Sequence, residues 1–69
     1  MDTKMIPSTI LESLNRSGAM EFDELFKAVQ KLQSDLNQHD FNRTLMEMEV
    51  QGLIRVTRMA RGKKRIELA

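Results

Sequence analysis

Apolar positions recur at helical spacing three times along this chain, then switch to alternation. Ile6, Ile10, Leu11 and Leu14 form the first stripe. Pro7 suits the first turn of a helix, where its missing N–H would find no acceptor anyway. Thr9 and Glu12 offer an alternative start as a capping box, and Ser17-Gly18 ends the segment. The pattern predicts a first helix over about 7–16, with residues 1–5 disordered. Phe22, Leu25, Phe26, Val29 and Leu32 form the second stripe. Asp23 and Glu24 in its first turn, and Lys27 and Lys31 later, complement the helix dipole. Met20 and Leu25 have hydrophobic-staple spacing if Glu21 is the cap. Ala19, Met20 and Glu21 are too few for an independent strand, but they suffice to add a short one to a hairpin elsewhere. Gln33, Ser34 and Asp35 read as a turn, with Leu36 pointing inward.

The third stripe, Phe41, Leu45 and Met48, has the clearest boundaries. Asn37 is a good N-cap, because its side-chain oxygen can accept from a first-turn N–H. Asp40 is spaced to reach back to the Asn37 N–H, and Leu36 and Phe41 are spaced for a staple. Gly52 stands where a left-handed residue stops a helix. These signals predict a helix over about 38–50. Its other face carries Gln38, His39, Asn42, Arg43, Met46, Glu47 and Val50. Beyond Gly52 the period becomes two. Ile54, Val56, Ile66 and Leu68 then share one face of a hairpin. Partners in an antiparallel pair share a face, so Val56 opposes Ile66 or Leu68. Either pairing needs an odd loop, either three residues at Arg61, Gly62 and Lys63, or five.

With 69 residues, the chain makes one domain, 1–69, which buries only ~60% of its unfolded surface. It has no Cys, Trp or Tyr. Disulfides, cysteine-based zinc sites and thiol catalysis are therefore excluded, and a cytoplasmic location is compatible. Six Met and three Phe carry much of the packing. No apolar run approaches the ~20 residues that cross a bilayer, and the first ten residues lack a signal-peptide core. No membrane partner is expected.

The net charge is only +1, but it is unevenly spread. Through Gly52 there are five basic residues against nine acidic ones, a balance of −4. From Leu53 on, Arg55, Arg58, Arg61, Lys63, Lys64 and Arg65 face Glu67 alone, a balance of +5. Attraction for a polyanion is concentrated in the hairpin.

The order helix, short strand, helix, turn, helix, strand, basic loop, strand resembles the winged helix-turn-helix superfamily. Leu45, Met48, Glu49, Gly52, Leu53, Ile54 and Val56 carry the resemblance as L-x-x-M-E-x-x-G-L-I-x-V. This is similar to a recognition helix running into the first wing strand of many small bacterial and archaeal regulators. Met20 to Leu25 is similar to the short strand entering the first helix of the helix-turn-helix. The resemblance covers about residues 6–69. It implies an α+β fold: a three-helix winged helix-turn-helix with a C-terminal β-hairpin wing and a two- or three-stranded antiparallel sheet.

It further implies double-stranded DNA binding by a small, nucleoid-associated transcriptional regulator. By position, Gln38, His39, Asn42, Arg43 and Met46 would face base edges in the major groove. Arg61, Lys63 and Lys64 would sit at the wing tip, flanked by Arg58 and Arg65, on phosphate or in a minor groove. The side-chain chemistry agrees: Arg pairs with guanine, Asn or Gln with adenine, and Met meets a thymine methyl.

Other readings stand beside this one. A charged hairpin tip also discourages edge-to-edge aggregation. Arg43 is the single cation on the exposed helix face, and Glu47 beside it would repel phosphate. Met46 and Val50 form an apolar patch if both are exposed, suited to a thymine methyl, a homodimer partner or another protein. A protein-interaction winged helix is therefore the alternative. His39 is the sole histidine, which argues against a metal site. With no phosphate-binding loop or ligand cluster, no catalytic residue and no cofactor is expected.

Overall fold

The computed structural model describes residues 5–69. Of the five residues expected to be disordered, the first four lie outside that range, and Met5 already belongs to a helix. Helix α1 spans Met5–Ser17, strand β1 Met20–Glu21, α2 Phe22–Gln30, α3 Gln38–Val50, β2 Ile54–Arg58 and β3 Lys64–Leu68. The strands form one antiparallel sheet in the order β1-β3-β2. This is an α+β fold with the layout of a winged helix, and its sheet has three strands.

Two helix boundaries differ from expectation. α1 begins two residues before Pro7, so Thr9 and Glu12 lie inside the helix and do not cap it. Pro7 remains acceptable there, because first-turn N–H groups have no intrahelical acceptor. α2 ends at Gln30, two residues before the stripe does. The N–H groups of Leu32 and Gln33 both donate to Val29 O at 3.0 Å, which tightens the chain toward α3. Leu32 consequently leaves the apolar stripe and is 73% exposed. Leu36 points inward as expected and is buried. The Gln30 amide donates to its carbonyl at 3.2 Å.

The core draws on every helix and on two strands: Ile6, Ile10 and Leu14; Leu25, Phe26 and Val29; Leu36; Phe41, Leu45 and Met48; Ile54 and Ile66. Phe41 is its centre. Its ring meets Phe22 at 5.2 Å and Phe26 at 5.3 Å between centroids, both edge to face, the arrangement that ring quadrupoles favour. α3 is thereby fixed against α2 through its buried side, leaving its opposite side free.

In the hairpin, Val56 pairs with Ile66 and Ile54 with Leu68. Arg58 and Lys64 form the last pair, so five residues, 59–63, make the loop. Met59 N–H donates to Lys63 O at 2.7 Å and narrows the tip further. Arg61 and Gly62 turn the chain with φ of 65° and 73°. β1 extends the sheet beyond β3, with Met20 opposite Ile66 and Glu21 opposite Arg65.

Candidate nucleic-acid interface

Local chemistry at both ends sets the position of α3. Asn37 Oδ1 accepts from Asp40 N–H at 2.8 Å. Asp40 does not complete the expected box by reaching the Asn37 N–H; its carboxylate accepts from the Asn37 side-chain amide at 3.1 Å instead. At the other end Gly52, at φ 79°, donates to Glu49 O, and Leu53 N–H donates to Met48 O, each at 3.0 Å. These two bonds form a Schellman motif, which satisfies carbonyls the helix leaves open. The motif delivers the chain directly into β2 and places the hairpin beside α3.

The exposed side of α3 divides into two hollows. The first is lined by His39, Asn42, Arg43, Met46, Glu47, Val50 and Gln51. It is largely apolar at its centre, where Met46 is 58% and Val50 88% exposed. The second lies between α3 and the wing, lined by Asn42, Leu45, Met46, Glu49, Val56, Arg58 and Lys64. Asn42 and Met46 line both. Asn42 Nδ2 donates to Met46 Sδ at 3.6 Å. His39, Asn42, Arg43 and Met46 thus come together as the sequence suggests. Gln38 is exposed at the helix start and lines neither hollow.

The wing residues separate into groups. Arg58 and Lys64 have the parity of Val56 and Ile66, so they lie on the sheet face toward α3. Arg65 lies on the other face, paired across strands with Glu21 and Thr57. Lys63 Nζ stands 3.6 Å from Glu21 Oε1. Lys64 is half-buried, its Nζ 5.7 Å from the Phe22 ring centroid, a cation–π contact. The wing tip therefore rests against the start of α2, where Glu21, Phe22 and Asp23 line a third hollow with 61–64. Of the three cations the sequence places at the tip, Lys63 and Lys64 turn back onto Glu21 and Phe22. Arg43, Arg58, Arg61 and Arg65 are exposed and form no ion pair among the described residues.

Sequence reasoning missed Glu21 and Phe22 as anchors of the wing. The usable signal was register: once β1 joins β3, alternation carries Glu21 toward the tip. Among the described residues no group of three or more acidic or histidine side chains could hold a metal ion. No described helix is long and apolar enough to cross a membrane.

The fold and site define the chain as an α+β domain with a winged-helix layout, in which a capped third helix and a basic hairpin share one surface. No protein-family model matches the chain, and no curated protein or solved structure matches it either.

Proposed function

We propose that this chain binds double-stranded DNA, with α3 in the major groove and the wing cations on phosphate, as a small transcriptional regulator of the nucleoid. One observation carries the reading: Arg58 and Lys64 of the wing line the same hollow as Asn42 and Met46 of α3. Base-reading side chains and the exposed Arg58 guanidinium, free to hold phosphate, thus lie close enough to meet one stretch of duplex, with half-buried Lys64 bracing the wing beside them. Arg43 adds a cation on the far side of that pair. Two copies on half-sites one helical turn apart, ~34 Å, would suit a domain whose longest extent is 31 Å. A homodimer on the DNA belongs to the same proposal.

A specific observation favours a second reading. Glu47 and Glu49 interrupt the positive surface, and exposed Met46 and Val50 present apolar area of the kind that docks a protein. An amide-resolved NMR titration with a random-sequence duplex, at low and moderate salt, separates the two. The DNA reading expects shifts at 38–46 and 58–65 that fade as salt rises. Shifts confined to the wing, or none, refute groove recognition and turn attention to a protein partner of α3.

A further inference from the structure

We propose that Asn42 and Met46 act together to read an A·T base pair, Asn42 through adenine and Met46 through the C5 methyl of thymine. This rests on the duplex-DNA reading above and adds the base class.

The two side chains are one helical turn apart and already in contact, Asn42 Nδ2 to Met46 Sδ at 3.6 Å. Sulfur is a weak acceptor, so the contact contributes little to stability. Its consequence is orientation. A free methionine has three flexible torsions, and a contact this weak biases them toward Asn42 without fixing them, which lowers slightly the entropy lost on binding. The contact uses one of the two Asn42 amide protons. The other proton and Oδ1 remain, the donor and acceptor that adenine N7 and N6 require.

Met46 supplies the apolar half. It is 58% exposed, with Val50 one turn further and 88% exposed. The apolar group that a base pair offers in the major groove is the thymine methyl. The surroundings fit a duplex: Arg43 lies in one hollow beside the pair, and Arg58 and Lys64 lie in the other. Glu47 and Glu49, also beside the pair, repel phosphate but accept from exocyclic amines of bases. They favour the pair meeting base edges over backbone. A protein docked on Met46 would bury the same area, but it could not distinguish thymine from uracil.

The test selects sites from random duplexes with the whole chain, then measures affinity by fluorescence anisotropy. Selection should enrich an A·T pair at one or two positions. Replacing dT there by dU removes only the methyl and should weaken binding about 4-fold, the equivalent of ~0.8 kcal/mol for a buried methyl. Met46→Ala should lose a similar factor on the dT duplex and become indifferent to dU. Met46→Leu should retain the preference. Asn42→Ala should lose about tenfold on the A·T site. Thermal melts check that each variant folds, and the dT-to-dU comparison needs no variant.

Equal binding of dT and dU duplexes by the wild type overturns the inference. So does a Met46→Ala chain that keeps the dT preference, or a selected site without the A·T pair. Any of these alongside firm duplex binding leaves the DNA reading intact. Failure to bind any duplex at low salt overturns both.

Discussion

The contact between Lys63 and Glu21 makes a quantitative prediction about salt. A lysine whose ammonium sits 3.6 Å from a carboxylate is partly neutralised before any phosphate arrives. In the proposed complex the phosphate contacts fall to Arg43, Arg58, Arg61 and Arg65, four exposed cations of α3 and the wing with no ion pair among the described residues. Each phosphate neutralised contributes roughly −0.9 to the slope of log affinity against log salt, so four contacts give about −3.6. Between about 50 and about 200 mM salt, affinity should fall about 150-fold. Glu21→Gln releases Lys63 as a fifth contact, which steepens the slope to about −4.5 and the loss to about 500-fold.

The substitution is mild structurally. The glutamine oxygen can still accept from the first turn of α2, and the Glu21 N–H keeps its bond to Glu24 Oε1 at 3.4 Å. The ion pair is partly solvated, with side-chain exposures of 56% and 29%, so losing it costs ~0–1 kcal/mol and shifts Tm by under about 8 °C. Anisotropy titrations at five salt concentrations, on wild type, Glu21→Gln, Lys63→Gln and the double variant, give the cycle. Lys63→Gln should flatten the slope by about 0.9 in the Glu21→Gln background and by much less in the wild type. An unchanged slope in Glu21→Gln, or equal effects of Lys63→Gln in both backgrounds, refutes the idea that Glu21 holds Lys63 back.

Two further predictions concern the fold that presents this surface. Phe41→Ala empties the centre of the aromatic cluster and should cost ~3–5 kcal/mol. The whole domain holds ~3–10 kcal/mol, so much or most of its stability goes and circular dichroism should find Tm lowered by more than about 10 °C; a Tm within a few degrees of wild type would sink the assignment of Phe41 as the keystone. Gly52→Ala meets open space, with nothing within 4 Å of the added carbon, so its cost is that of holding φ at 79°, ~1 kcal/mol. Urea midpoints measure it, and an unchanged or raised midpoint would show that the Schellman turn has relaxed.

What could be read from the chain alone was local or set by parity. Asn37 and Gly52 mark the two ends of α3 because capping depends on a few adjacent residues, and the structure shows both marks in use. Alternation and an odd loop narrow the partner of Val56 to Ile66 or Leu68, and the structure takes Ile66 across five loop residues. Leu32 defeated the same logic, because the path of the chain from α2 to α3 ended the helix before its stripe ran out. The packing of the wing tip was out of reach for a different reason. Counting cations cannot show that Lys63 and Lys64 turn back onto Glu21 and Phe22. That contact exists only because β1 joins β3, a pairing between segments more than forty residues apart.

This return of the wing onto α2 also bears on how α3 is aimed. Phe22 touches Lys64 on the wing and Phe41 on α3, so a single ring links the basic hairpin to the base of the candidate reading helix. Phe41 is the fourth residue of α3, one turn before Leu45 and directly after the Asn37 cap network. The link reaches α3 at the end where His39, Asn42 and Arg43 lie. In the proposed complex, a phosphate that drew Lys64 away from Phe22 would loosen that link. One that bound Arg58 or Arg61 would leave it in place, because the cation over the ring is Lys64. The cations that hold the wing in place and the cations free to meet a polyanion are thus different residues. That division lets the hairpin take a charged partner while α3 stays fixed by the core.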